Sequence, residues 1–189
     1  MRRLSYLSVL ALLLGLAASC TTAATPPPAP PPCDDACKDG VAIKAVREMA
    51  KLAFNVTLQG KPVGAHDETR PCPQGGTVRV AGTATSNAIQ GATEVSLTYT
   101  FAACGYLFKD DDAEDNYTMT LEGELTQQGI IAVQPSSSSA LVMRSERMKL
   151  AGTVYDPPAP YEAECPLELG QNGNKLTGKI CGRAAETDL

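Results

Sequence analysis

Between Gly75 and Gly105 apolar and polar residues change places at almost every step. Val78, Val80 and Ala84 alternate with Thr77, Arg79, Thr83 and Thr85, and further on Val95, Leu97, Tyr99 and Phe101 alternate with Glu94, Ser96, Thr98 and Thr100. A period of two gives each strand one buried face and one wet face. The polar interval Ser86–Gly91 supplies the turn of an antiparallel hairpin. A third strand follows, with Tyr117, Met119, Leu121 and Leu125 set against Thr118, Thr120, Glu122 and Glu124. Gly129–Gln134 and Ala140–Arg144 read as further strands separated by Pro135 and the run Ser136–Ser139, and Met148, Leu150 and Val154 then alternate with Arg147, Lys149, Ala151 and Thr153. The register changes near Ser145, as a bulge or turn requires. Asp156-Pro157-Pro158-Ala159-Pro160 interrupts the sheet. Beyond it Leu167, Leu169, Leu176 and Ile180 flank a turn centred on Gly173, the pattern of a closing hairpin.

Before the strands the period changes to that of a helix. From Asp35 to Phe54 the residues Ala42, Ala45, Val46, Met49, Leu52 and Ala53 share one face, and Lys44, Arg47, Glu48 and Lys51 share the other. Asp34 and Asp35 suit its N-terminus, and the later basic residues suit its C-terminal end. Asn55–Pro73 reads as a turn-rich connection with room for a short strand at Asn55–Gln59. The expected fold is therefore mainly β, an antiparallel meander sheet or barrel-like body with one N-terminal amphipathic helix packed on it.

The first residues are for targeting. Met1-Arg2-Arg3 is a positive start, Leu4–Leu16 an apolar run too short to span a membrane, and Ala17-Ala18-Ser19 a small-residue cleavage region, which together make residues 1–19 a secretory signal. Residues 20–32 are rich in Thr, Ala and Pro, and the prolines of Pro26–Pro32 fix φ and remove donors, so this stretch is an extended tether. Residues 33–189 form one domain large enough for a real core.

The sequence Leu16-Ala17-Ala18-Ser19-Cys20 resembles the lipobox of bacterial lipoproteins, with Ala17 at the place where that family prefers Leu. The resemblance implies that Cys20 carries the lipid and ties the chain to a membrane. Thr21 rather than Asp after the cysteine implies the outer membrane of a Gram-negative bacterium, by the sorting habit of enterobacterial lipoproteins. The bland alternative is ordinary cleavage near Ala24 with Cys20 discarded.

Charge narrows the partners. The formal net charge of −5 becomes −7 once Arg2 and Arg3 leave with the signal, and Trp is absent. An acidic surface poor in aromatic rings repels phosphate backbones and offers bases nothing to stack on, so no nucleic-acid partner is expected.

Setting Cys20 aside, Cys33, Cys37, Cys72, Cys104, Cys165 and Cys181 are an even set in an exported chain, which argues for three disulfides. The closing hairpin places Cys165 opposite Cys181, the first hairpin brings Cys72 near Cys104, and Cys33 with Cys37 remains as a local pair. A metal site would need tight cysteine pairs with histidine partners, and a redox pair would need CxxC opening a helix beside a parallel sheet; neither pattern is present.

Other candidate chemistry is thin, and no cofactor or metal is expected. The lone histidine, His66, has no nucleophile beside it and reads as a loop residue. Lys109–Asn116 loosely resembles a calcium loop, but Asp115 stands where the turn glycine belongs and Leu121 where the bidentate glutamate belongs, leaving a charged hairpin tip. The serine run has no base to activate it. The order of helix, Cys before a Gly-Gly-Thr-Val strand, Tyr-Thr-Phe strand ending near Cys, and closing hairpin ending Cys-Gly resembles uncharacterised small lipoproteins of Gram-negative bacteria. The expectation is a non-catalytic binding or structural module of the envelope. The alternative is a carrier holding an apolar ligand among Val95, Leu97, Tyr99, Phe101, Met119 and Leu121.

Overall fold

A computed structural model describes residues 31–87, 91–132 and 139–189. The signal, Cys20 and most of the tether lie outside them, as do Val133, Gln134 and Ser136–Ser138. One helix, α1 (Asp35–Leu58), is followed by β1 (Gly64–Pro71), β2 (Thr77–Asn87), β3 (Ala92–Phe108), β4 (Tyr117–Ala132), β5 (Ala140–Val154), β6 (Ala159–Asn172), β7 (Lys175–Ile180) and β8 (Arg183–Asp188). A 3₁₀ turn at Ala113–Asp115 sits in the β3–β4 connection. The strands form a single antiparallel meander in which each pairs with its neighbour in sequence. It does not close, so β1 and β8 are its edges.

Alternation decides which way each strand faces. In β4, Tyr117, Met119, Leu121 and Leu125 are buried while Thr118, Thr120, Glu122 and Glu124 are exposed. Register shifts interrupt three consecutive ladders, at Phe101/Cys104, Gly123/Thr126 and Ser145/Met148. The last of these keeps both Ser145 and Met148 buried. Such bulges add local twist and bend, and the sheet wraps around α1. Gly82 adds to the tight approach of β2 and β3, since at its φ of +132° a Cβ would stand 2.2 Å from the Ser96 carbonyl oxygen.

The helix fills the trough. Asp34 caps it by accepting from the Cys37 N–H at 2.9 Å. Val41, Ala42, Ala45, Val46, Met49, Ala50 and Ala53 are buried in one cluster with the inward residues of the sheet. The small alanines let the helix backbone approach the strands. Its most extensive contacts are with β8 and next with β1, so α1 spans the gap between the two unpaired edges. Gly40 permits this, because a Cβ there would lie 3.2 Å from the Glu186 carbonyl oxygen of β8.

Several expectations need correction. The helix runs on through Asn55–Leu58, where a strand or connection was expected. The Thr57 hydroxyl is satisfied there by donating to the Ala53 carbonyl at 2.6 Å, as helical Thr does. Its last turn consequently has no basic residue to complement the dipole. His66 lies in β1, an edge strand with no fully buried residue, rather than in a loop. Ala159 and Pro160 open β6 opposite Thr153 and Val154 instead of interrupting the sheet. Arg47 is buried against the sheet instead of lying on the wet helix face.

Candidate functional site

Among the described residues, three polar side chains of α1 bond across to other elements. Near its start Asp39, 2 % exposed, accepts hydrogen bonds from the Tyr161 hydroxyl (2.8 Å) and from the Arg183 Nε (2.7 Å) and Nη2 (2.8 Å). The three residues tie the helix to β6 and β8. Burial, then the Asp39 carboxylate, pushes the Tyr161 hydroxyl up, and the hydrogen bond to Asp39 holds the Arg183 guanidinium above its ordinary value. Further on, Lys44 pairs with Asp115 of the 3₁₀ turn.

The third is Arg47, only 6 % exposed. Its Nε donates to Gln171 Oε1, and Gln171 Nε2 donates to the Gly173 carbonyl at 2.7 Å, so the arginine is held from the β6–β7 turn. Across the sheet the Tyr99 hydroxyl donates to Gln127 Oε1 at 2.5 Å. Desolvation lowers the Arg47 pKa, opposed by the nearby Glu48 and Tyr99. Arg47 has no carboxylate within ion-pair distance among the described residues, whereas Glu48 pairs with Lys51 at 3.2 Å.

Among the described residues, two cavities large enough for a small molecule flank the helix, beside a small one of about 50 Å³ under Met49 and Val56. One, of about 520 Å³, is bordered by the ion pairs Lys44–Asp115 and Lys175–Glu186 and also by Asp112, Glu114 and Asp188, which leaves it acidic. The other, of about 390 Å³, is lined by Arg47, Lys51, Phe54, Gln127, Ile131 and Gln171 among others. It holds the buried arginine, and it is the candidate site. Its volume is in the range of small-molecule pockets.

The residues singled out from the sequence fall elsewhere. Disulfides join Cys33 to Cys37, Cys72 to Cys104 and Cys165 to Cys181. Cys20 lies outside the described residues. Beside half-exposed His66, Asp67 is engaged by Arg79 at 2.6 and 2.7 Å and Glu68 by Lys61. In the acidic run Asn116 turns inward and donates to the carbonyls of Asp110 (3.1 Å) and Asp112 (2.8 Å), shaping the loop through its own side chain. Among the described residues no group of three or more His, Cys, Asp or Glu could hold a metal ion. Ser139 is tied to Ala132, accepting from its N–H at 3.0 Å. Val95, Leu97, Tyr99, Phe101, Met119 and Leu121 are all at most 3 % exposed, in one cluster with α1.

Sequence patterning assigns no role in a site to Asp39, Arg47, Gln127, Gln171 or Arg183. For two of them a signal exists: Gln127 and Gln171 continue the inward series Leu121, Leu125 and Leu167, Leu169, so a polar side chain falls at a core position. Comparison with protein-family models, with curated proteins and with solved structures gives no match.

Proposed function

We propose that this chain is a lipid-anchored protein of the bacterial cell envelope, attached through Cys20 to the outer membrane and acting as a non-catalytic binding or structural module. The observation that carries the reading is the pairing of all six cysteines of the folded body into three disulfides. Such cross-links form and persist in oxidising compartments and are rare in the cytosol. They support export, as the signal-like start does, and the lipobox resemblance adds the anchor. The folded body begins close behind the tether, where the Tyr155 hydroxyl donates to the Pro31 carbonyl at 2.7 Å.

The carrier alternative is the weaker one, because α1 occupies the trough in which an apolar ligand would lie and the six residues proposed to line it pack there as core. Radiolabelled palmitate fed to cells expressing the full chain tests the anchor. Label should appear on the wild type and vanish in Cys20→Ser, which should leave the membrane fraction. Unlabelled wild type, or a reduced cytoplasmic form, would defeat the proposal.

A further inference from the structure

We propose that the cavity between α1 and the β4 and β6 ends binds a small carboxylate bearing a short apolar tail, through the Arg47 guanidinium and the Gln127 amide N–H₂. The inference rests on the binding-module reading above, and it needs nothing from the anchor. A buried arginine without a carboxylate is costly unless something else neutralises it. Gln171 engages only the Nε edge of Arg47, which leaves the two terminal nitrogens as donors; in a cavity-lining guanidinium these form the fork that carboxylates fill in bidentate fashion. Gln127, 1 % exposed and lining the cavity, accepts the Tyr99 hydroxyl at its Oε1, so its amide N–H₂ is the end of the side chain left to donate to a ligand. Both side chains are clamped from behind, Arg47 by Gln171 and Gln127 by Tyr99, so neither has to be ordered when a ligand arrives.

The rest of the lining sets the ligand's body. Phe54 and Ile131 give an apolar wall, and Lys51 on the rim adds a cation whose charge is shared with Glu48. That combination fits one carboxylate with a few methylenes better than it fits a phosphate, which would meet Glu48 with two charges. The larger cavity offers nothing comparable, since Asp112, Glu114 and Asp188 border it beside the two ion pairs and its excess of acids would repel an anion.

Hexanoate is the probe, and hexan-1-ol, of nearly the same shape without the charge, is its control. The full-length processed protein in nanodiscs is titrated calorimetrically against an empty-nanodisc blank. If the palmitate test fails and the protein is soluble, the same titration is run without nanodiscs, so the two proposals fail separately. Hexanoate should saturate at one site with Kd below about 1 mM, and hexan-1-ol should bind at least about tenfold more weakly. Arg47→Gln should lose at least about tenfold in hexanoate affinity while keeping its near-ultraviolet circular dichroism. Should that variant fail to fold, ¹H–¹⁵N spectra of the wild type decide, because the Arg47 Nε–H and Gln127 side-chain N–H₂ resonances should shift with hexanoate. Equal binding of acid and alcohol, unchanged affinity in folded Arg47→Gln, or resonances that stay still at Arg47 and Gln127 would each overturn the proposal.

Discussion

Two buried tyrosine hydroxyls face opposite circumstances. That of Tyr99 donates to Gln127, whereas that of Tyr117, in a residue 3 % exposed, has no partner among the described residues. A buried hydroxyl without a partner bears its desolvation cost uncompensated, while deleting a satisfied one strands its acceptor. Tyr117→Phe should therefore be neutral or stabilising by up to about 1 kcal/mol, and Tyr99→Phe destabilising by about 1–2 kcal/mol, read as shifts in the urea midpoint. Both hydroxyls, with that of Tyr161, are pushed up from the ordinary value of 10, mainly by burial. A raised pKa on a neutral acid gives stability that is complete below the unfolded value and is lost as pH climbs towards the folded one. Stability should thus fall above about pH 10, with these three tyrosines ionising only as the chain unfolds. Absorbance at 295 nm followed alongside circular dichroism checks this; their ionisation ahead of unfolding would contradict it.

At the scale of elements, what could be read in the chain depended on whether a strand has an apolar face. β3 and β4 were visible because Val95 to Phe101 and Tyr117 to Leu125 alternate cleanly, and so was the shift near Ser145. The edges β1 and β8 were not, because an edge strand with one neighbour carries little apolar signal. Gly64–Pro71 has no fully buried residue, and in Arg183–Asp188 only Ala185 is buried. Gln127 and Gln171 at inward positions are the part of the candidate site that patterning marks; Arg47 is not marked, because it neighbours Val46 on the helix and only the sheet's curvature determines that its side chain is covered. The same curvature makes Gly40 a contact point between α1 and β8. Gly40→Ala gains helix propensity of about 1 kcal/mol against a contact that yields by a few tenths of an ångström, and should come out near neutral. Gly40→Val drives two methyls towards the Glu186 carbonyl and should lose about 1–3 kcal/mol, seen as a lower Tm.

On the scale of the molecule, the meander has two ends, and the fold uses them differently. The connections at 72–76, 109–116, 155–158 and 181–182 lie on one side of the meander, staggered by the unequal strand lengths, and Tyr155 there holds Pro31 where the body begins. Cys72 and Cys181 lie in two of these connections, so two bridges staple neighbouring strands on this side of the sheet. Ala132, Ser139 and Asn174, on the rim of the Arg47 cavity, belong to the other end. If the chain is anchored at Cys20 as proposed, a tether pulling on Pro31 would load the side that holds Tyr155 and leave the cavity turned away from the anchor. Loop-closure entropy ranks the staples, since the bridges span sequence separations of 32, 16 and 4. Serine pairs replacing Cys72/Cys104 and Cys165/Cys181 should lower global stability by about 4 and 3 kcal/mol, whereas the roughly 2 kcal/mol of the short Cys33/Cys37 loop should be felt locally. Because the last bridge lies in the approach to α1 and crosses no strand, its loss should fray only the helix start, so hydrogen exchange should quicken at Lys38 and Asp39 while the amides of β3 and β4 remain protected. Uniform loss of protection in the Cys33/Cys37 variant would show instead that the helix start is part of the cooperative core.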